Sequence, residues 1–122
     1  MRINFAGVGR PKKVAKYLKR ALAARGREIG LRKCEEIIAK MTGYTNWHEL
    51  QITAALTTVY YARDTAVGEA EAAARREQYV LRLCEHAQVS RELAGDVVDE
   101  IKLTGVRVKP GAQESTPALP AP

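Results

Sequence analysis

Cys34-Glu-Glu-Ile-Ile-Ala39-Lys-Met-Thr-Gly43-Tyr-Thr-Asn-Trp-His-Glu-Leu50 is the stretch whose reading decides the fold. Leu31, Cys34, Ile37, Ile38 and Met41 recur at the three- and four-residue spacing of an amphipathic helix, and Gly43 supplies the left-handed residue that ends one. A helix is therefore expected over Leu31–Met41. Asn46 offers a side-chain oxygen to cap the next helix, and Glu49, three positions on, has the reach for the cap amide, so a new helix starts at Trp47. Ala39, four residues before Gly43, is small enough to let the two helices approach closely, as in a helix-turn-helix. Leu50 falls one residue later than the apolar anchor of the DNA-reading version, and a plain αα-hairpin leaves the same pattern. Both readings stand.

Upstream, Pro11 is a good first-turn residue, and Val14, Leu18, Ala21 and Leu22 mark the buried face of a helix running from Pro11 to Arg25, with Gly26 as its stop. Residues 1–10 read as an arm with a short extended piece at Ile3–Phe5. Downstream, Asp64 or Thr65 is the expected cap of a long Ala/Glu/Arg-rich helix over Glu69–Ala87, with Ala73, Val80, Leu81, Cys84 and Ala87 on its apolar face. Ser90 opens a last helix with Leu93, Ala94, Val97, Val98 and Ile101 as its stripe and Gly105 as its close. From Lys109 the Pro, Ala, Gln, Ser and Gly residues lose all apolar period, so 109–122 are expected to be a disordered tail.

The expected architecture is all-α: a single helical domain over 1–108 with about five helices. A basic helix-turn-helix-like unit at 11–52 is followed by C-terminal helices at 64–105. The chain has 122 residues, 46% of them hydrophobic but only 6% aromatic, which suits close helix packing better than a sheet sandwich. No run of about 18 apolar residues occurs, and no apolar segment follows the first basic residues. Neither a membrane span nor a signal peptide is expected, and a cytoplasmic chain follows. In that compartment Cys34 and Cys84 read as buried thiols.

The net charge of +6 is unevenly spread. Residues 1–33 carry eleven Lys/Arg against one acid, and the rest carry nine against thirteen, so the two parts net +10 and −4. On a helix Lys12, Lys16, Lys19 and Arg20 form a ridge beside the apolar stripe. Lys13, Arg25, Arg27, Arg32 and Lys33 extend it into a candidate phosphate-contacting surface. A ridge of this kind also serves as a solvated face or as a surface for an acidic protein. If the Gly43 turn belongs to a DNA reader, His48 and Gln51 are the base-contacting candidates, since Asn46 and Glu49 are taken by capping and Trp47 and Leu50 by the core.

Metal and catalytic chemistry find little. Cys34, His48, Cys84 and His86 make four ligands on paper, but Cys84 and His86 are two apart and point to different faces of a helix. Gly7-Val-Gly9 lacks the rest of a dinucleotide-binding fingerprint, and no nucleophile-base arrangement stands out. No metal, cofactor or catalytic residue is expected.

Lys13-Val-Ala-Lys-Tyr-Leu-Lys-Arg-Ala-Leu-Ala-Ala-Arg-Gly26, with Cys34–Ala39 and Gly43-Tyr-Thr-Asn-Trp-His-Glu-Leu50, resembles the small N-terminal helical module of glyoxalase-related and plasmid or mobile-element proteins. The shared pattern is Gly-Tyr-x-x-Trp-x-x-Leu, within residues 11–52. In the glyoxalase-related proteins a βαβββ metal-binding domain follows the module; here no strand-rich segment does, so the resemblance implies helices and no catalytic or metal residues. It also implies a bacterial, DNA-linked accessory or regulatory role. The expectation is a non-enzymatic nucleic-acid-binding protein, with DNA as the first candidate ligand. Its site residues are Lys12, Lys13, Lys16, Lys19, Arg20, Arg32, Lys33, His48 and Gln51. The alternative is a protein-interaction module, such as an inhibitor, antitoxin or adaptor. A homodimer suits either.

Overall fold

The computed structural model describes residues 1–58 and 61–105. It contains five helices: α1 (Gly9–Ala23), α2 (Leu31–Met41), α3 (Trp47–Leu56), α4 (Glu69–Ala87) and α5 (Arg91–Ile101). No strand occurs among the described residues, and the fold is an all-α bundle. The segment 109–122, expected to be a tail, lies outside the described residues.

α2 is the central element: α1, α3 and α4 all pack on it, while α5 covers α1 and α4. One core joins them, built from Val14, Leu18 and Leu22 of α1, Ile37, Ile38 and Met41 of α2, Leu50 of α3, Leu83 of α4 and Ile101 of α5. Alanines at Ala15, Ala21, Ala39 and Ala94 are fully buried or nearly so, which lets neighbouring helix backbones come close.

The glycine stops at Gly26 and Gly43 behave as read. α1 starts two residues earlier than Pro11, which then sits in the first turn, where its missing N–H costs nothing. It leaves through Gly26 (φ +84°), with Gly26 N–H donating to Ala23 O and Arg27 N–H to Leu22 O. α2 ends the same way at Gly43 (φ +93°), with Tyr44 N–H bonded to Ala39 O. At α3 the expected capping box is shifted. Asn46 Oδ1 accepts from Glu49 N–H at 2.8 Å, but Glu49 Oε1 accepts from Thr45 N–H, one residue before the cap. The first helical amide, Trp47 N–H, goes to Glu36 Oε1 of α2.

Three expectations are corrected. Gly68 precedes α4 without a side-chain cap, because Asp64 is drawn away to Arg75 and Thr104. The buried positions of α4 are Arg75, Tyr79, Val80, Leu83 and Ala87, whereas Leu81 is 46% exposed and Ala73 is exposed. The long Ala-rich start carries no phase, so the bulky Tyr79 and Leu83 set it. Finally, α5 ends at Ile101 with Lys102 itself left-handed (φ 51°), three residues before Gly105.

The arm is part of the core. Ile3 and Phe5 are buried between exposed Arg2 and Asn4, the alternation of extended chain. Ile3 N–H donates to Thr42 O, Tyr44 Oη donates to Ile3 O, and Tyr61 N–H donates to Asn4 O. Phe5 meets Tyr61 edge-on at 5.5 Å between ring centroids. The arm crosses directly over the α2–α3 turn, where a Cβ on Gly43 would stand 2.3 Å from Met1 O. Glycine is required there twice over, for its φ and for this approach.

Candidate nucleic-acid interface

The eleven basic residues of the first 33 divide into two groups. Four arginines are used inside the fold. Arg2 lies over the Tyr44 ring at 4.5 Å and pairs with Glu49 at 3.3 Å. Arg10 reaches the end of the bundle and donates to Lys102 O, Leu103 O and Gly105 O. Arg25 pairs with Glu100 at 2.9 Å and donates to Ala21 O, and Arg27 donates to Ala87 O. Arg25 and Arg27 therefore leave the wider surface expected from sequence, because their guanidinium groups tie the α1–α2 connection to α4 and α5.

The other seven are Lys12, Lys13, Lys16, Lys19, Arg20, Arg32 and Lys33. All are exposed, and none pairs with a described carboxylate. At 3.6 residues per turn the five on α1 fall within about 120° of its circumference, opposite buried Pro11, Val14, Ala15, Leu18, Ala21 and Leu22. From Lys12 to Arg20 the ridge runs about 12 Å along the axis. Arg32 and Lys33 occupy the first turn of α2, beside the last turn of α1, where Lys19 and Gly30 line one shallow notch with Glu28.

Two further observations raise the potential of this region. Neither α1 nor α2 has a side-chain N-cap or an acid in its first turn, so their partial positive ends add to the lysines and arginines. By contrast Asn46 and Glu49 cap and neutralise α3, Ser90 and Glu92 do so for α5, and α4 begins with Glu69 and Glu71.

His48 and Gln51 are exposed on α3, whose Ala54 O accepts from Gly7 N–H just ahead of α1. α3 packs on α2 and not on α1. It follows the C-terminal end of α2, about 16 Å along the axis from the end that carries Arg32 and Lys33. Its exposed face also holds Ile52 at 50% and Leu56 at 80% exposure. The nine residues singled out from sequence are thus all exposed: five form the ridge on α1, Arg32 and Lys33 start α2, where Lys33 also acts on His86 of α4, and His48 and Gln51 lie on α3.

The four paper ligands stay apart in kind. Cys34 is buried and burial pushes its thiol up to about 11 against the opposing field of Lys19, whereas His48 is exposed on α3. His86 on α4 is held below its ordinary range, first by burial and then by Lys40. Among the described residues no three His, Cys, Asp or Glu side chains are grouped to hold a metal ion. No helix there is long and apolar enough to cross a membrane.

Sequence reasoning passed over the charged cluster around Arg75. Its guanidinium donates to Ala62 O at 2.6 Å, Asp64 Oδ1 at 3.1 Å and Glu71 Oε2 at 3.1 Å. Thr104 Oγ1 donates to Asp64 and lies 3.1 Å from Tyr79 Oη. The cluster fastens the approach to α4 to the residues after α5. Comparison of the chain with protein-family models, with characterised proteins and with solved structures finds no match.

Proposed function

We propose that the protein is a non-enzymatic nucleic-acid-binding factor that contacts phosphates through Lys12, Lys13, Lys16, Lys19, Arg20, Arg32 and Lys33. The observation that carries this is the division of the basic residues. Four arginines of the N-terminal third hold the fold together, and seven cations on α1 and the first turn of α2 are left exposed without a described counter-charge. Uncompensated like charges repel and raise the free energy of the compact state, and a polyanion removes that repulsion by exchanging its own counterions for the side chains. A bacterial, mobile-element-linked accessory role follows from the resemblance of residues 11–52 and belongs to the same proposal.

The test is fluorescence anisotropy with labelled nucleic acid, titrated in salt. With six or seven phosphates neutralised, affinity falls by about 10³ or more between about 50 and 200 mM salt. Replacing Lys12, Lys16 and Lys19 together by glutamate is expected to abolish binding and leave helical circular dichroism intact. Unchanged binding by the triple variant sinks the proposal.

A second reading rests on α3. Ile52 and Leu56 lie one turn apart on its exposed face, and an apolar pair of this kind suits a protein partner, a second copy of this chain included. On this reading Leu56→Glu abolishes partner capture and leaves phosphate-driven binding alone.

A further inference from the structure

We infer that the nucleic acid taken by this surface, given the phosphate-binding reading above, is a duplex held by its backbone without regard to base sequence, and not a single strand. Binding of single strands relies on aromatic side chains on which successive bases stack, lying along a cationic groove. Among the described residues Phe5, Tyr44, Trp47 and Tyr79 are buried, Tyr61 is half-buried against the core, and Tyr17, the one aromatic of α1, packs half-buried at the edge of the ridge. None stands exposed among the seven cations. The ridge is also the convex back of a helix, with no walls to follow a flexible strand.

What the surface does offer is a fixed array. Lys12, Lys16, Lys19 and Arg20 are mounted on a helix whose opposite face is locked in the core, so their Cα positions are set before the ligand arrives. A duplex presents an equally fixed array of phosphates, one charge per about 1.7 Å of its axis, and two rigid arrays meet with little loss of freedom. A single strand would have to be ordered on contact, with no stacking to offset that cost.

The same face has little means of reading bases. Over Gly9–Ala23 there is no Asn, Gln, Ser, Thr, Asp or Glu, the side chains that pair with adenine and cytosine edges. His48 and Gln51, which have that capacity, sit on α3, a separate helix that packs on α2 and not on α1. The cations can donate to guanine O6 and N7 as well, but a row dominated by lysines, point charges on flexible stems, suits phosphates, which carry position and no sequence.

The experiment measures full-length protein, at one moderate salt concentration, against two DNA duplexes of unrelated sequence and about 20 base pairs, a duplex RNA of that length, and single strands of equal charge. At least one duplex type is expected to bind about tenfold or more tightly than the single strands, with the two DNA sequences within about threefold of each other. His48→Ala and Gln51→Ala are expected to change affinity less than twofold. Equal or tighter binding of single strands overturns the duplex assignment. A tenfold preference between the two DNA sequences, or a tenfold loss in either α3 variant, overturns the backbone-only assignment. These outcomes leave phosphate binding itself standing, whereas absence of binding to every probe removes the reading on which the inference rests.

Discussion

The α1–α2 pair and the α4–α5 pair are both antiparallel helices joined by short connections, and both are rich in charge, but they use it in opposite ways. On α4 and α5 three of the four arginines are matched to carboxylates. Arg76 forms a two-bond pair with Asp99 at 2.8 and 3.0 Å, Arg91 pairs with Glu77, and Arg75 is enclosed by Asp64 and Glu71. On α1 and the start of α2 the charge is of one sign and faces solvent. One pair ties most of its cations to carboxylates within the fold and the other leaves its lysines open. The contrast separates charge that specifies structure from charge available to a partner.

The sharpest way to break this comparison is at Arg75. Its side chain is 5% exposed while its partners Asp64 and Glu71 are 37% and 53% exposed, so they regain water when it is lost and the ion pairs themselves count for little. The loss falls mainly on the bond to Ala62 O and on the packing of the side chain. Arg75→Leu is expected to lower stability by about 2 kcal/mol in urea unfolding, with the denaturant slope unchanged. Lys16→Leu is expected to stay within about 0.5 kcal/mol. Equal costs at the two positions would erase the distinction.

Acid gives the next largest effect. Asp99 is held below the usual carboxylate range first by its hydrogen bonds from Arg76, Glu77 by Arg91, and Glu49 by Thr45 N–H and then Arg2. Because the folded state lowers these values, the stability they supply is complete above the unfolded carboxylate range, near pH 5. It is lost as the pH falls through the folded values. The thermal midpoint is expected to drop below about pH 4, and Asp99→Asn to flatten that drop. An identical acid profile in the variant would place the sensitivity elsewhere.

The sequence was most legible where structure is local. Gly26, Gly43, Asn46 and Ser90 end or begin helices through groups within five residues of themselves. The seven ridge and first-turn cations were legible for the same reason, since helical spacing alone puts Lys12, Lys16, Lys19 and Arg20 together. What was hidden depends on contacts far along the chain. The carbonyls taken by Arg10 and Arg27 are 60 to 95 residues distant, and nothing near either arginine announces them. Asp64 had the look of a cap until Arg75 and Thr104 claimed it. His48 and Gln51 were legible as exposed positions of α3, since capping and the core take their neighbours.

The smallest effect sharpens the comparison from the other side. Lys12 stands in the first turn of a helix that has no acid there, where positive charge is unfavourable. Lys12→Glu is expected to raise stability by about 0.5 kcal/mol while weakening nucleic-acid binding. Opposite signs in the two measurements mark a residue kept for a partner at some cost to the fold. A loss of stability would make Lys12 structural instead.

The arm that crosses Gly43 has a consequence for the order in which the molecule is made. Ile3 and Phe5 lie against Thr42, Tyr44 and Tyr61, and Gln78 Nε2 of α4 donates to both Met1 O and Met41 O, the first of these across 77 positions. During synthesis α1, α2 and α3 leave the ribosome before the side chain that pins the arm beside them exists. Until then two large apolar residues have only a half-built seat, and the chain completes their enclosure by returning to the segment ahead of α1.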